Sequence, residues 1–390
     1  MNRILFAKLA VILLAFCIAA ITSSAQTETI LHSFTCQPTD GCSPNGGVTV
    51  DSSGNIYGTT ITGGSNGAGT VFELTASGQF SLLYSFGSAP SDGFNPYEGV
   101  TLDSHGNIYG TTYEGGLDQF GTVFKLTPTG TETILYSFTC GTDGCLPQSV
   151  PALDKDGNIY GTTTQGGADG WGTVFKITPS GTFSTLYGFT GGADGGGPGS
   201  NLYVDSKLNV YGTTYSGGAF TFGAAFKITS AGVETVLHSF DANGKDGFWP
   251  FSGLIPGKVD FYGTSGRGGS IGVGAIFSLA PPDGTEHIVH SFKGGADGIF
   301  PVGTVALDSS GNLYGATHFG GTYDLGTVFK LTASGAETIL HSFAFNGTDG
   351  TFPLNGLAID SSGNLYGVTT QGGSSATCEG GCGAVFKVVP

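Results

Sequence analysis

Short apolar runs alternate with polar, glycine-rich stretches along this chain on a fixed beat. In residues 100–138, Val100, Thr101 and Leu102 begin a short strand pattern, and residues 104–107 turn the chain, with Gly106 able to take positive φ. Residues 108–112 run back as a second strand. A glycine-rich loop at 114–120 leads to a third strand at 121–127. Pro128-Thr129-Gly130 then fits a tight turn, with Pro at its first central position and Gly at the left-handed position after it. Residues 131–138 make the fourth strand. Nothing beyond the first 25 residues has a helical period.

This unit recurs seven times. The Tyr of Tyr57-Gly58-Thr59-Thr60 returns at Tyr109, Tyr160, Tyr211, Tyr262, Tyr314 and Tyr366, in steps of 51 or 52 residues. Phe34, Phe86, Phe138, Phe189, Phe240, Phe292 and Phe343 keep the same beat. Four antiparallel strands per repeat, stacked around an axis, predict an all-β, seven-bladed β-propeller. A right-handed β-helix is the alternative, but its coils are much shorter than 51 residues. Residues 27–34 form a lone fourth strand, and residues 357–389 supply strands one to three of a final unit. The N-terminal strand is therefore expected to pair with the last blade and close the ring, which also removes exposed sheet edges.

The first 25 residues read differently. Arg3 and Lys8 precede an apolar run, Leu9 to Ile21, and Ser23-Ser24-Ala25 offers small residues before a cut ahead of Gln26. This predicts a signal peptide at 1–25 and one propeller domain at 26–390, secreted or periplasmic, with no membrane span in the mature chain. Cys17 could suggest lipid attachment, but bulky Phe16 precedes it. The 71 glycines fall between β-branched and aromatic runs and so read as turn residues, not disorder. The net charge of −16, with only 13 basic residues, argues against a nucleic-acid partner. The remaining cysteines come in three close pairs: Cys36 with Cys42, Cys140 with Cys145, and Cys378 with Cys382. Local pairing in an exported chain predicts three disulfides. A thiolate metal site is the rival, disfavoured because the pairs lie in different repeats without histidine at ligand spacing.

The run Gly-Asn-Ile-Tyr-Gly-Thr-Thr, then Gly-Gly, Gly-Thr-Val-Phe-Lys-Leu-Thr, Leu-Tyr-Ser-Phe, and Asp-Gly with a nearby Pro resembles the GloVer tandem-repeat family. The resemblance covers residues 27–390. It implies an exported bacterial, propeller-like repeat protein of unassigned activity, often with a surface-anchoring signal. This chain ends at Val388-Val389-Pro390 without a sorting helix, and its fifth repeat replaces the usual Asp-x-x-Gly-Asn turn with Gly257-Lys258-Val259-Asp260-Phe261.

Two sets of residues could carry chemistry on the face shared by the fourth-to-first and second-to-third connections. Asp40, Asp92, Asp143, Asp194, Asp246, Asp297 and Asp349, each followed by Gly, could circle one mouth and attract Ca²⁺. Their identical retention favours instead a capping role in each turn. The second set varies between repeats: Tyr113, Glu114, Phe120, Gln165, Trp171, Tyr215, Phe222, Arg267, His318 and Phe319. Aromatic planes beside Gln, Glu and Arg suit sugar rings and hydroxyls. Packing of loop on loop is the plainer reading. His32, His238, His290 and His341 stand where other repeats have Tyr84, Tyr136 and Tyr187, which marks a strand position and not a general base. Lys125 with Glu132, and Lys330 with Glu337, are expected as exposed cross-strand pairs. No nucleophile elbow, phosphate loop or metal-ligand motif is present.

These readings predict a non-catalytic binding or scaffolding module. Its variable loops would meet an extracellular glycan, a peptide or an envelope protein. The alternative is a metal-assisted lyase or hydrolase using the acidic mouth.

Overall fold

The computed structural model describes residues 27–281 and 284–390. The expected signal peptide, including Cys17, lies outside the described residues. Blade one pairs Thr49–Val50, Ile56–Thr60, Thr70–Leu74 and Phe80–Ser85 in that order, all antiparallel. Five more blades repeat the order, ending with Ala306–Leu307, Leu313–Phe319, Thr327–Leu331 and Glu337–Ser342. The seventh blade has three strands from the end of the chain, Ala358–Ile359, Leu365–Gly372 and Ala384–Val389. Its fourth is Thr27–Ser33, with Glu28 opposite Val388 and Ser33 opposite Ala384. The N-terminal strand even reproduces a bulge. Between Ile30 and His32 the register slips by one residue, as it does between Ile134 and Tyr136 in blade two. A bulge sharpens the local twist, so this strand leaves its sheet as the other fourth strands do.

The core lies between blades. Phe34, Phe86, Phe138, Phe189, Phe240, Phe292 and Phe343, one past each fourth strand, are fully buried. Each meets the third-strand Phe of the next blade. Phe86 and Phe124 have centroids 5.1 Å apart at 66°, Phe343 and Phe386 5.1 Å at 71°, and Phe34 and Phe72 5.3 Å at 64°. Edge-to-face rings add about 0.5–1.5 kcal/mol each beyond burial. The Gly of Tyr-Gly-Thr-Thr makes this fit. A Cβ on Gly110 would overlap the Phe124 ring that crosses it.

The other motif residues have equally local duties. Thr59 Oγ1 donates to the Glu98 carbonyl at 2.7 Å, and Thr213 Oγ1 to the Ser252 carbonyl at 2.8 Å, hooking a blade to the next. Asp103 accepts from the His105 and Asn107 amides at 2.8 and 2.9 Å and from the Tyr109 hydroxyl at 3.1 Å. Burial raises its pKa, but these bonds and that from the Asn107 side chain outweigh it and hold the carboxyl below its ordinary value. Blade five lacks this device; there Gly257 N–H reaches only the Asp260 carbonyl.

The expected Lys125–Glu132 pair is not formed. Lys125 faces Thr133 and Leu126 faces Glu132, so Lys125 and Glu132 occupy opposite faces of the sheet. Lys125 lies 5.6 Å from the Tyr109 ring centroid, while Glu132 is half-buried. Blade six repeats the arrangement, with Lys330 over Tyr314 at 5.5 Å and Glu337 opposite Leu331.

Closure makes a stability prediction. Phe34→Ala should cost about 3–5 kcal/mol, and Phe138→Ala the same, because both remove one interblade ring. Deleting residues 27–34 should cost far more than removing a loop of the same length. Chemical denaturation of the variants tests this; a deletion that leaves the transition midpoint unmoved would refute closure.

Candidate functional site

The segments that enter the seven innermost strands converge at the axis. In each repeat they follow the Pro downstream of Asp-Gly, and they read Asn45-Gly46-Gly47, Tyr97-Glu98-Gly99, Gln148-Ser149-Val150, Gly199-Ser200-Asn201, Phe251-Ser252-Gly253, Val302-Gly303-Thr304 and Leu354-Asn355-Gly356. Together with the second-to-third connections they line a cup of about 490 Å³. Tyr97, Tyr113, Tyr215, Phe251 and Phe300 give it aromatic walls, and Asn45, Gln148, Gln165, Asn201 and Asn355 give it amides. Tyr97 and Tyr113 stand 5.0 Å apart, and Tyr215 lies 5.1 Å from Phe251.

One carboxylate, Glu98, lies in this lining. Its Oε2 accepts from Asn355 Nδ2 at 2.8 Å, although Glu98 enters blade two and Asn355 enters blade seven. They meet because blade one, between them, contributes Gly46 and Gly47. A Cβ on Gly46 would strike the Glu98 backbone, and one on Gly47 would press on Asn355 and Gly356. Burial pushes the Glu98 pKa up to about 8, and the Asn355 bond opposes this only in part. At neutral pH Glu98 is therefore mostly a neutral acid.

Of the variable residues singled out in the sequence, Tyr113, Gln165 and Tyr215 line the cup. Glu114 is exposed and accepts from Asn95 at 3.2 Å. Arg267 stacks 5.7 Å from the Phe300 centroid, behind the wall. His318 hydrogen-bonds the Pro353 carbonyl at 3.0 Å and touches Phe319 at 4.2 Å; burial lowers its pKa, with the Pro353 bond acting the other way. Phe120, Trp171 and Phe222 sit outside the cup. Trp171 spreads over Gly191 and Gly196 of the next loop, and Phe222 packs on Phe248 at 5.3 Å. Glu98, Tyr97, Gln148, Asn201, Phe251 and Asn355 escaped the sequence reading. Their signal was available: the three residues after the Pro of each Asp-Gly-x-x-Pro differ from repeat to repeat, while the Asp, Gly and Pro recur.

The seven aspartates lie in separate turns below the outermost strands. Asp92 accepts from the Ser88 amide at 2.8 Å and the Tyr84 hydroxyl at 3.0 Å; in blade four His238 Nε2 takes the tyrosine's place, 3.0 Å from Asp246. The next blade presents one further side chain here. It is Glu132, Glu234, Glu286, Glu337 or Glu28 at five interfaces, and Phe80 or Phe183 at two. Phe80 stacks on His32 at 4.0 Å and Phe183 on Tyr136 at 3.8 Å. Three of these places form His–Asp–Glu groups, namely His238, Asp246, Glu286; His290, Asp297, Glu337; and His341, Asp349, Glu28. Burial first, and the adjacent aspartate second, raise the glutamates, to about 7 for Glu28, Glu132 and Glu234. Glu286 and Glu337 rise for the same reasons, with a hydrogen bond to Asp246 and Asp297 respectively.

The fold and cup define the class: a seven-bladed β-propeller with an asymmetric central site. The chain belongs to the Gloeobacter/Verrucomicrobia repeat family, whose pattern matches residues 17–154, 147–306 and 261–390. No curated protein matches it in sequence. Among solved structures it is similar to an oligogalacturonate lyase in complex with manganese, at 10% identity and TM-score 0.57, covering 93% of this chain and 96% of that one. It is also similar to a puromycin-hydrolysing peptidase of Mycobacterium tuberculosis, at 12% identity and TM-score 0.53, covering 83% of this chain and 48% of that one. A nidogen/laminin complex shares 15% identity at TM-score 0.40, covering 61% of this chain and 76% of that one. These likenesses are of fold. Among the described residues no helix is long and apolar enough to cross a membrane.

The interblade glutamates predict a pH effect. A carboxyl raised in the folded state contributes stability that is complete below its unfolded value and is lost as pH climbs through its folded value. The melting temperature should therefore fall from about pH 5 to about pH 9, and Glu337→Gln, which stays neutral, should show a smaller fall. Equal falls in the variant and the parent would remove the glutamates as the cause.

Proposed function

We propose that this protein is a secreted or periplasmic, non-catalytic recognition module that binds a saccharide in its central cup. The repeat family and the propeller fold fit a binding or scaffolding role, and the disulfides suggest an oxidising, extracellular location. The observation that carries the saccharide reading is the lining: aromatic faces, five amides and one largely neutral acid. Sugar rings stack on Tyr and Phe through their C–H faces, and amides both donate to and accept from hydroxyls. A site of this make-up attracts no strong charge, so it suits neutral glycans better than an acidic or basic peptide.

The test is a glycan array followed by calorimetric titration of the hits. Tyr215→Ala should weaken binding about tenfold, the loss of one stacked ring. Affinity should fall as pH rises through about 8, because Glu98 then loses the proton it donates, and Glu98→Gln should abolish that pH dependence. An array without hits, beside capture of peptides from an envelope digest, would overturn the saccharide reading.

One observation favours a second reading, a lyase or hydrolase: an acid held protonated near neutrality is suited to protonate a leaving group. In that case Glu98→Gln would still bind the glycan but release no fragments, whereas the parent would release them on prolonged incubation. Intact glycan after incubation with the parent removes this reading.

A further inference from the structure

Two of the three cysteine pairs are neighbours in space. Cys36 and Cys42 lie in the loop that follows the closing strand Thr27–Ser33, and Cys378 and Cys382 lie before the last strand, Ala384–Val389. Ring closure brings residues 342 positions apart together: the Cys36 and Cys378 sulfurs are 3.0 Å apart, and those of Cys42 and Cys378 are 4.0 Å apart. All four sulfurs fall within 4.8 Å of one another. The sequence argument against a thiolate cluster, that the pairs belong to different repeats, does not survive closure of the ring. Cys140 and Cys145 remain a pair on their own.

We propose that these four cysteines are a redox-linked zinc site: oxidised, they form the disulfides Cys36–Cys42 and Cys378–Cys382, and reduced, they bind one Zn²⁺ as a tetrathiolate. Four thiolates around zinc at about 2.3 Å stand about 3.8 Å from each other, so small rotations of side chains already in place suffice. The backbone holds the two loops in register across the site, with the Ser43 amide donating to the Cys382 carbonyl at 3.0 Å and the Phe34 amide to the Gly383 carbonyl at 3.0 Å. Cys382 is buried and the other three are partly exposed, giving an anchored base and a route of entry. The redox step balances with a dithiol reductant. Each protein disulfide gains two electrons and two protons as a dithiol closes to its own disulfide. Zinc then displaces four protons from the four thiols. Reoxidation by two equivalents of a disulfide oxidant, each gaining two electrons and two protons to become its dithiol as one protein disulfide forms, releases the ion and restores both disulfides.

The experiment uses the full chain, reduced with excess dithiol under anaerobic conditions, supplied with Zn²⁺ or Co²⁺ and freed of excess metal. The expected result is one zinc per chain by elemental analysis, and a cobalt spectrum with thiolate charge-transfer and tetrahedral d–d bands. The oxidised protein should take up none. Cys140→Ser with Cys145→Ser should retain full uptake, and Cys378→Ser with Cys382→Ser should lose it. If reduction alone unfolds the chain, refolding on addition of zinc supports the site, and failure to refold overturns it. No stoichiometric uptake by reduced protein, or uptake that survives loss of Cys378 and Cys382, also overturns it.

Discussion

Phe86 stands edge-on to Phe124, and six copies of this contact carry the ring from Phe34 on Phe72 round to Phe343 on Phe386. Each ring is wholly buried between two sheets, so the distance and tilt between neighbouring blades are set by the same pair everywhere. The Tyr-Gly-Thr-Thr motif serves that contact. Its Gly clears space for the third-strand Phe, and in several blades its first Thr ties the sheet to the loop of the next blade. Once spacing is fixed by seven equal contacts, the segments entering the inner strands must meet at the axis. The cup is a consequence of the blade interface and not a separate feature.

Equal spacing leaves two kinds of freedom. At the outer rim, one side chain per interface faces the turn aspartate, and it is glutamate five times and phenylalanine twice. Both solutions fill the same gap, one by a carboxyl beside a carboxylate and the other by a ring stacked on His32 or Tyr136. The glutamate solution is favoured while the acid keeps its proton, so the rim couples blade packing to pH. At the inner rim, the freedom is used differently. No two of the seven entering triplets are alike. Ser149, Ser200 and Ser252 tie their triplets to the inner strands, each Oγ accepting from a strand amide, whereas Asn45, Tyr97, Gln148, Asn201 and Phe251 line the cup.

The fold was legible because the blades repeat the same local signals: Gly in the third turn, Asp-x-x-Gly-Asn in the first turn of five blades, and Phe after every fourth strand. Even closure could be counted from strands at the two ends. The cup was legible in part. Tyr113, Gln165 and Tyr215 stand out as variable residues after a constant motif, and they do line it. Glu98 was missed because it sits inside the turn region after Asp-Gly-x-x-Pro, where the constant residues draw the eye. Its contact with Asn355, 257 positions away, depends on a gap left by a third repeat. Lys125 and Glu132 misled for a simpler reason. Closeness in sequence across a hairpin does not fix the face, and a shift of one residue sends the two charges to opposite sides of the sheet.

Asymmetry gathers in one sector. Blade one contributes two adjacent glycines, Gly46 and Gly47, where every other entering triplet has at most one, and next to it lie the closing strand, the stacked His32–Phe80 pair and the four-cysteine cluster. Glu98 of blade two and Asn355 of blade seven bond across this sector. Asn355 enters the sheet that Thr27–Ser33 finishes, so the bond joins that sheet to blade two. The glycine gap that lets the acid and the amide meet therefore lies beside the blade that the two chain ends complete together.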